Sequence, residues 1–193
     1  MVLLGIPLSA LKNWQRYSSR KRSLSFYDAN AQCALALKIR LCKQDDLPAV
    51  HRLSAENTSF DATPTLTDTE GLYHRNPEYF YVASDESGEV IGFITGYERR
   101  GIPEEVLRTW KAARVGYVEL MAVDLGNRRK GIGTRLLNTL LEHFRSERID
   151  LVLLDVPVEQ MAAVKLYEKI GFNVRAFHMK KYLMSGAGAG SGI

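Results

Sequence analysis

Leu37, Ile39 and Leu41 alternate with Lys38 and Arg40, and this period of two predicts a half-buried strand. The period then changes. Asp45 and Asp46 precede Pro48, a helix-start signature, and Leu47, Val50, Leu53 and Ser54 fall on one helical face. Residues 57–69 are polar and rich in Ser, Thr, Asp and Pro, which predicts a loop, and a short helix is expected over 69–76. Two apolar runs, 80–84 and 89–97, flank Asp85-Glu86-Ser87-Gly88, the pattern of a hairpin. Residues 103–113 read as a helix with Pro103 near its start and Val106, Leu107 and Trp110 on one side. A strand over 116–123 follows. Leu136, Leu137, Leu140, Leu141 and Phe144 then recur at helical spacing. A fifth strand is expected over 151–156 and a helix over 159–170. Residues 172–183 should supply one or two more strands, with a break near Arg175. There is no internal repeat.

The chain has 193 residues, enough for one domain with a sizeable core and an appendage. Apolar residues make up 46 % and charged residues 25 %, the balance of an ordinary globular protein. No apolar run approaches the roughly 20 residues that span a bilayer, so no membrane partner is expected. Cys33 and Cys42 are too few for a disulfide framework and fit a reducing compartment as free thiols. His51, His74, His143 and His178 share no metal-ligand spacing, so no metal is expected. The net charge of +4 is localised. Residues 1–35 carry five basic residues against Asp28 alone, and the remaining twenty-one basic and twenty-one acidic residues cancel. A neutral domain does not predict a nucleic-acid partner. We divide the chain into a basic extension over 1–35, a folded domain over 36–184 and a flexible Gly/Ala/Ser tail over 185–193. The extension holds an expected short helix over 8–17, and its acid-poor composition resembles an organellar targeting peptide. A cytosolic extension is the preferred reading, and the expected location is cytoplasmic.

The candidate chemistry lies where the fourth strand meets its helix. Arg128-Arg129-Lys130-Gly131-Ile132-Gly133-Thr134 is a basic loop that runs straight into the helix. N–H groups at a helix start lack intrahelical partners, and the helix dipole there favours anions. Gly131 and Gly133 allow close approach of a ligand to the backbone. The combination describes a cradle for phosphate or pyrophosphate. It is not a Walker loop: Gly126 and Gly131 have the right separation, but Ile132-Gly133 stands where Lys-Ser/Thr is required. Nor is it a dinucleotide fingerprint, because Leu136 occupies the position of the third small residue.

Arg128-Arg129-Lys130-Gly131-Ile132-Gly133 does fit the pattern Arg/Gln-x-x-Gly-x-Gly/Ala. A second segment, Leu166-Tyr167-Glu168-Lys169-Ile170-Gly171-Phe172, fits Leu-Tyr-Glu-x-x-Gly-Phe at the close of a helix. In this order the two motifs resemble those of the Gcn5-related N-acetyltransferase (GNAT) family, over about residues 37–183. The resemblance implies a single α+β domain with a mixed, mostly antiparallel central sheet flanked by helices, and with strands four and five splayed apart. Acetyl-CoA is the implied cosubstrate and an amine the implied acceptor. Its pantetheine would lie along Met121, Ala122 and Val123. Its pyrophosphate would lie on the backbone of Arg129, Lys130, Gly131, Ile132, Gly133 and Thr134, with Arg128 and Lys130 adding field strength. Gln160 stands where many members carry a CoA-contacting asparagine.

The implied reaction is direct attack of a primary amine on the thioester within a ternary complex. Tyr167 matches the tyrosine that protonates the leaving thiolate. Two carboxylates compete for the base. Glu119 is expected on one strand face with Met121 and Val123, by alternation. Asp155 sits twelve residues before Tyr167, where some members carry a glutamate. The first two helices would wall the acceptor site, and the 103–113 helix reads equally as packing or as a lid. The acceptor is either a small-molecule amine or a protein amine. A catalytically silent acetyl-CoA-binding regulatory module is the competing function, and a homodimer is compatible with the sequence.

Overall fold

The computed structural model describes residues 37–57, 64–157, 159–176 and 181. The predicted helix near Leu8, the extension over 1–35 and the tail over 185–193 lie outside the described residues. Five strands form one sheet in the order β1 to β5. They are β1 (Lys38–Leu41), β2 (Phe80–Ser84), β3 (Val90–Glu98), β4 (Val115–Val123) and β5 (Leu151–Leu154). The first four pair antiparallel, and β4 pairs β5 in parallel. A parallel pair needs a crossover. Here it is α4 (Ile132–Ser146), whose Leu136, Leu137, Leu140 and Phe144 are fully buried against the sheet. Each such side chain contributes about 1.5–3 kcal/mol by leaving water.

The opposite face is covered by α1 (Leu47–Asn57), through Leu47, Val50 and Leu53. Ser54, on the same stripe, is buried because its hydroxyl donates to the Val50 carbonyl at 2.9 Å. α2 (Leu66–Arg75) packs on α1. It begins three residues earlier than the sequence pattern suggests. Thr65 caps it by accepting from the Asp68 N–H, while the Asp68 carboxylate accepts from the Thr65 N–H at 2.8 Å. This reciprocal Thr-x-x-Asp pair satisfies two otherwise orphaned donors.

α3 (Glu104–Trp110) is shorter than its predicted span, because Lys111 turns left-handed at φ 54° and closes it. It has no buried residue, and the Arg175 guanidinium lies over the Trp110 ring at 4.1 Å. α5 (Met161–Ile170) packs Tyr167 and Ile170 on the α4 side of the core and ends at Gly171. Residues 172–176 and 181 are not in a strand. The rest of the predicted C-terminal strand region lies outside the described residues.

Candidate active site

β4 pairs β5 only from Val115 to Val118, opposite Leu151 to Leu154. Beyond Val118 it continues to Val123 with β3 on one edge and, among the described residues, an open edge on the other. This is the expected splay. The Asp124 N–H donates to the Ile91 carbonyl on β3 at 2.9 Å. Backbone groups of successive strand residues point to alternate edges, so those of Met121 and Val123 point to the open edge and those of Ala122 to β3. The Arg128 Nε donates to the Val123 carbonyl at 3.1 Å, as that direction requires.

The loop after β4 holds two left-handed residues two apart, Arg129 at φ 64° and Gly131 at φ 82°. Alternation of this kind turns successive N–H groups toward one concavity. Gly131 is the N-cap of α4 and supplies no side-chain cap. The N–H groups of Ile132, Gly133 and Thr134 therefore have no intrahelical partner. Ile132 is buried and pins the helix start to the core, whereas Arg128, Arg129, Lys130 and Gly131 are exposed. Lys130 donates to the Asn127 side chain at 2.9 Å, so its charge stays within the loop. A Cβ on Gly133 would meet Leu166 Cδ2 at 3.4 Å, Val123 Cγ2 at 3.8 Å and Met121 Cε at 3.9 Å. The cradle, the open edge of β4 and α5 thus converge.

Tyr167 follows Leu166 at this convergence. Its ring meets Phe172 edge-on at 5.7 Å between centroids. Burial alone pushes its phenol up to about 12, so the hydroxyl stays protonated at neutral pH. Gln160 is the N-cap of α5, and its carbonyl accepts from the Ala163 and Val164 N–H groups.

Glu119 does not share a face with Met121 and Val123, contrary to the alternation rule. Leu120 pairs with Thr95 and Val118 with Gly96, so Glu119 is an extra residue, a β-bulge. The bulge resets the alternation. Val118, Met121 and Val123 pack toward α4, while Leu120 packs toward α1. The Glu119 carboxylate reaches the α1–α2 side, where its Oε1 lies 3.2 Å from Nη2 of Arg75 at the end of α2.

Two tyrosines that the sequence reading did not single out complete this side. Tyr97 and Tyr117 are cross-strand partners with ring centroids 5.3 Å apart. The Tyr117 hydroxyl donates to Asp155 Oδ2 at 2.6 Å, bridging β4 to the residue just past β5. Burial first, and then this bond, push the Tyr117 phenol well above its ordinary value. The structure therefore brings Glu119 and Asp155 to one aromatic pair. A sequence signal existed: Tyr117 precedes Glu119 by two residues, the spacing of side chains on one strand face.

Cys42 is buried, and burial pushes its thiol up to about 12, which excludes it as a ready nucleophile. Among the described residues there is no group of three or more His, Cys, Asp or Glu side chains suited to a metal, and no helix long and apolar enough to cross a membrane.

A model of the acetyltransferase (GNAT) family matches residues 47–172. N-alpha-acetyltransferase 30 of Xenopus laevis is 38 % identical over 79 residues, which is 41 % of this chain and 29 % of the frog protein. The match therefore takes in under a third of that relative. Among solved structures, Ard1 from Thermoplasma volcanium superposes with a TM-score of 0.61 at 29 % identity, over 73 % of this chain and 85 % of Ard1. A chain of the NatC complex bound to Gag peptide and CoA superposes with a TM-score of 0.63 at 22 % identity, over 76 % and 91 % of the two chains, and supports the fold.

Proposed function

The chain belongs to the acetyltransferase (GNAT) family, and from that premise we propose that it transfers the acetyl group of acetyl-CoA directly to a primary amine. The observation that carries this reading is the junction at the end of β4, where an open strand edge runs into a left-handed loop and an uncapped helix start. The residues present fit the cosubstrate. Met121 and Val123 would offer backbone partners to the pantetheine arm. The N–H groups over Arg129–Thr134 would hold the pyrophosphate, with Arg128 adding positive charge. Ala122, whose backbone turns to β3, would then contribute shape only. Gln160, at the start of α5, would border the arm.

In this reading Glu119 draws the acceptor ammonium and takes its proton, directly or through water. The amine nitrogen attacks the thioester carbonyl, the C–S bond breaks, and Tyr167 donates its phenolic proton to the departing sulfur. A phenol held neutral by burial supports that role. Asp155 is the alternative base, and the hydrogen bond from Tyr117 favours a positioning role for it. The similarity to N-alpha-acetyltransferase 30 favours the α-amine of a polypeptide over a small-molecule amine. A cytoplasmic site of action fits the cysteine usage and is part of the same proposal.

The test is calorimetric titration with acetyl-CoA, followed by thiol release over a panel of peptides, polyamines and amino acids. Saturable binding with amine-dependent thiol release is expected. Binding without thiol release from any amine would make the chain a silent acetyl-CoA-binding module instead.

A further inference from the structure

The acceptor side of β4 gathers charges of both signs around one aromatic pair. Glu119 is ion-paired to Arg75 at 3.2 Å, and Asp155 is held by Tyr117 at 2.6 Å. Arg99, two residues past Tyr97, is exposed, and its charge acts on both tyrosines. It makes no ion pair among the described residues.

The Arg75–Glu119 pair is unequal. Glu119 sits on a strand bulge with its side chain 27 % exposed, whereas Arg75 ends a helix with its side chain 59 % exposed. Glu119 is the fixed partner and Arg75 the one that can swing. An ammonium drawn to Glu119 competes with the guanidinium for its charge. A lone ammonium leaves Arg75 without an anion and beside a second cation. An acceptor with an anion next to its amine allows a balanced exchange: the amine takes Glu119, and the anion takes Arg75.

Resting on the acetyl-transfer reading above, we propose that Arg75 is a specificity-determining residue that selects an acceptor carrying a carboxylate a few bonds from the reacting amine. The chemical class is a polypeptide α-amine on an Asp or Glu residue. No bond is made or broken at Arg75. It changes anionic partner, while the proton and acetyl transfers proceed as described for Glu119 and Tyr167.

The experiment uses the full chain at saturating acetyl-CoA with matched peptides that begin with Asp, Asn, Glu or Gln and are otherwise identical. kcat/KM should be ~10-fold or more higher for Asp than for Asn, the scale of one hydrogen bond to a charged group. Arg75→Gln should level the two by raising KM for the Asp peptide, and Arg75→Lys should recover part of the difference. Retained acetyl-CoA affinity reports that each variant is folded. Equal turnover of the Asp and Asn peptides by the wild-type chain would overturn the proposal, as would a preference that survives Arg75→Gln. No acetylation of any peptide or amine would overturn the underlying acetyl-transfer reading as well, and that outcome is distinct from acetylation without preference.

Discussion

Replacing Tyr167 by Phe removes one oxygen and leaves the ring packed on Phe172. Burial is the sole cause of the raised phenol, and among the described residues no hydrogen bond contributes, so the hydroxyl adds little to stability. Its loss should cost under ~1 kcal/mol of folding free energy. Catalysis should respond differently. At an assay pH of about 7.5, a phenol with a pKa of about 12 is ionised in roughly one molecule in 10⁴ or fewer, so nearly every molecule carries the proton the leaving sulfur needs. Without that proton kcat should fall ~10²- to 10⁴-fold, which is about 3–5 kcal/mol of transition-state stabilisation. Acetyl-CoA affinity should stay within about threefold, because the donor matters only once charge builds on sulfur. The sign of the pH effect follows. The neutral phenol is the competent form, so activity that depends on Tyr167 persists past pH 10 and fades only as the pH rises toward about 12. The assay is steady-state thiol release with kcat and KM resolved, beside calorimetric acetyl-CoA binding for both proteins. Unchanged kcat in Tyr167→Phe would return Tyr167 to a packing role. A Tyr167-dependent alkaline limb near pH 9 would show that the phenol is not buried as described.

Three further outcomes follow from the same geometry. Gly131 has φ 82° and a Cβ there would meet nothing within 4 Å, so Gly131→Val acts mainly by straining the left-handed backbone, by about 1–2 kcal/mol. Calorimetry should then show acetyl-CoA affinity reduced by at least ~10-fold with the melting temperature lowered by only about 2–8 °C, and unchanged affinity would remove the cradle assignment. A Cβ on Gly96 would sit 2.6 Å from the Tyr117 carbonyl and 3.0 Å from Phe144 Cζ, so Gly96→Ala should destabilise the fold by ~1–3 kcal/mol in urea unfolding. Glu119→Gln should lower the acceptor kcat/KM steeply with acetyl-CoA affinity little changed, and Asp155→Asn should be milder. The reverse pattern would put the base on Asp155.

The helix faces were legible in the sequence because one period of 3.6 residues decides them locally. Leu136, Leu137, Leu140 and Phe144, like Leu47, Val50 and Leu53, are buried as that spacing requires. The helix start after the glycine loop was legible for the same reason, since loop and helix are contiguous. The face of Glu119 was not. A bulge is a mismatch of register between two strands, and β4 alone carries no mark of it. Its partner position is Gly96, whose missing side chain lets Phe144 and Leu140 of α4 lie close to the sheet. Arg75 and Glu119 are 44 residues apart in sequence, and the pair forms through the packing of α2 on α1. The early start of α2 was readable in principle from Thr65 and Asp68, but a composition rich in loop-forming residues masked the capping pair.

The central claim is direct transfer from the thioester to an amine, without an acylated enzyme between them. It is tested most directly by giving the full chain acetyl-CoA labelled with deuterium in the acetyl group, together with an amine acceptor. Mass spectrometry then reads the acceptor, the solvent and the protein over a single turnover. The account predicts that the label appears as an amide on the acceptor in step with thiol release. Because Cys42 is buried with its thiol pushed up to about 12, no label is expected on that residue. Label on the protein before it reaches the amine, or label released only as acetate, would contradict the account.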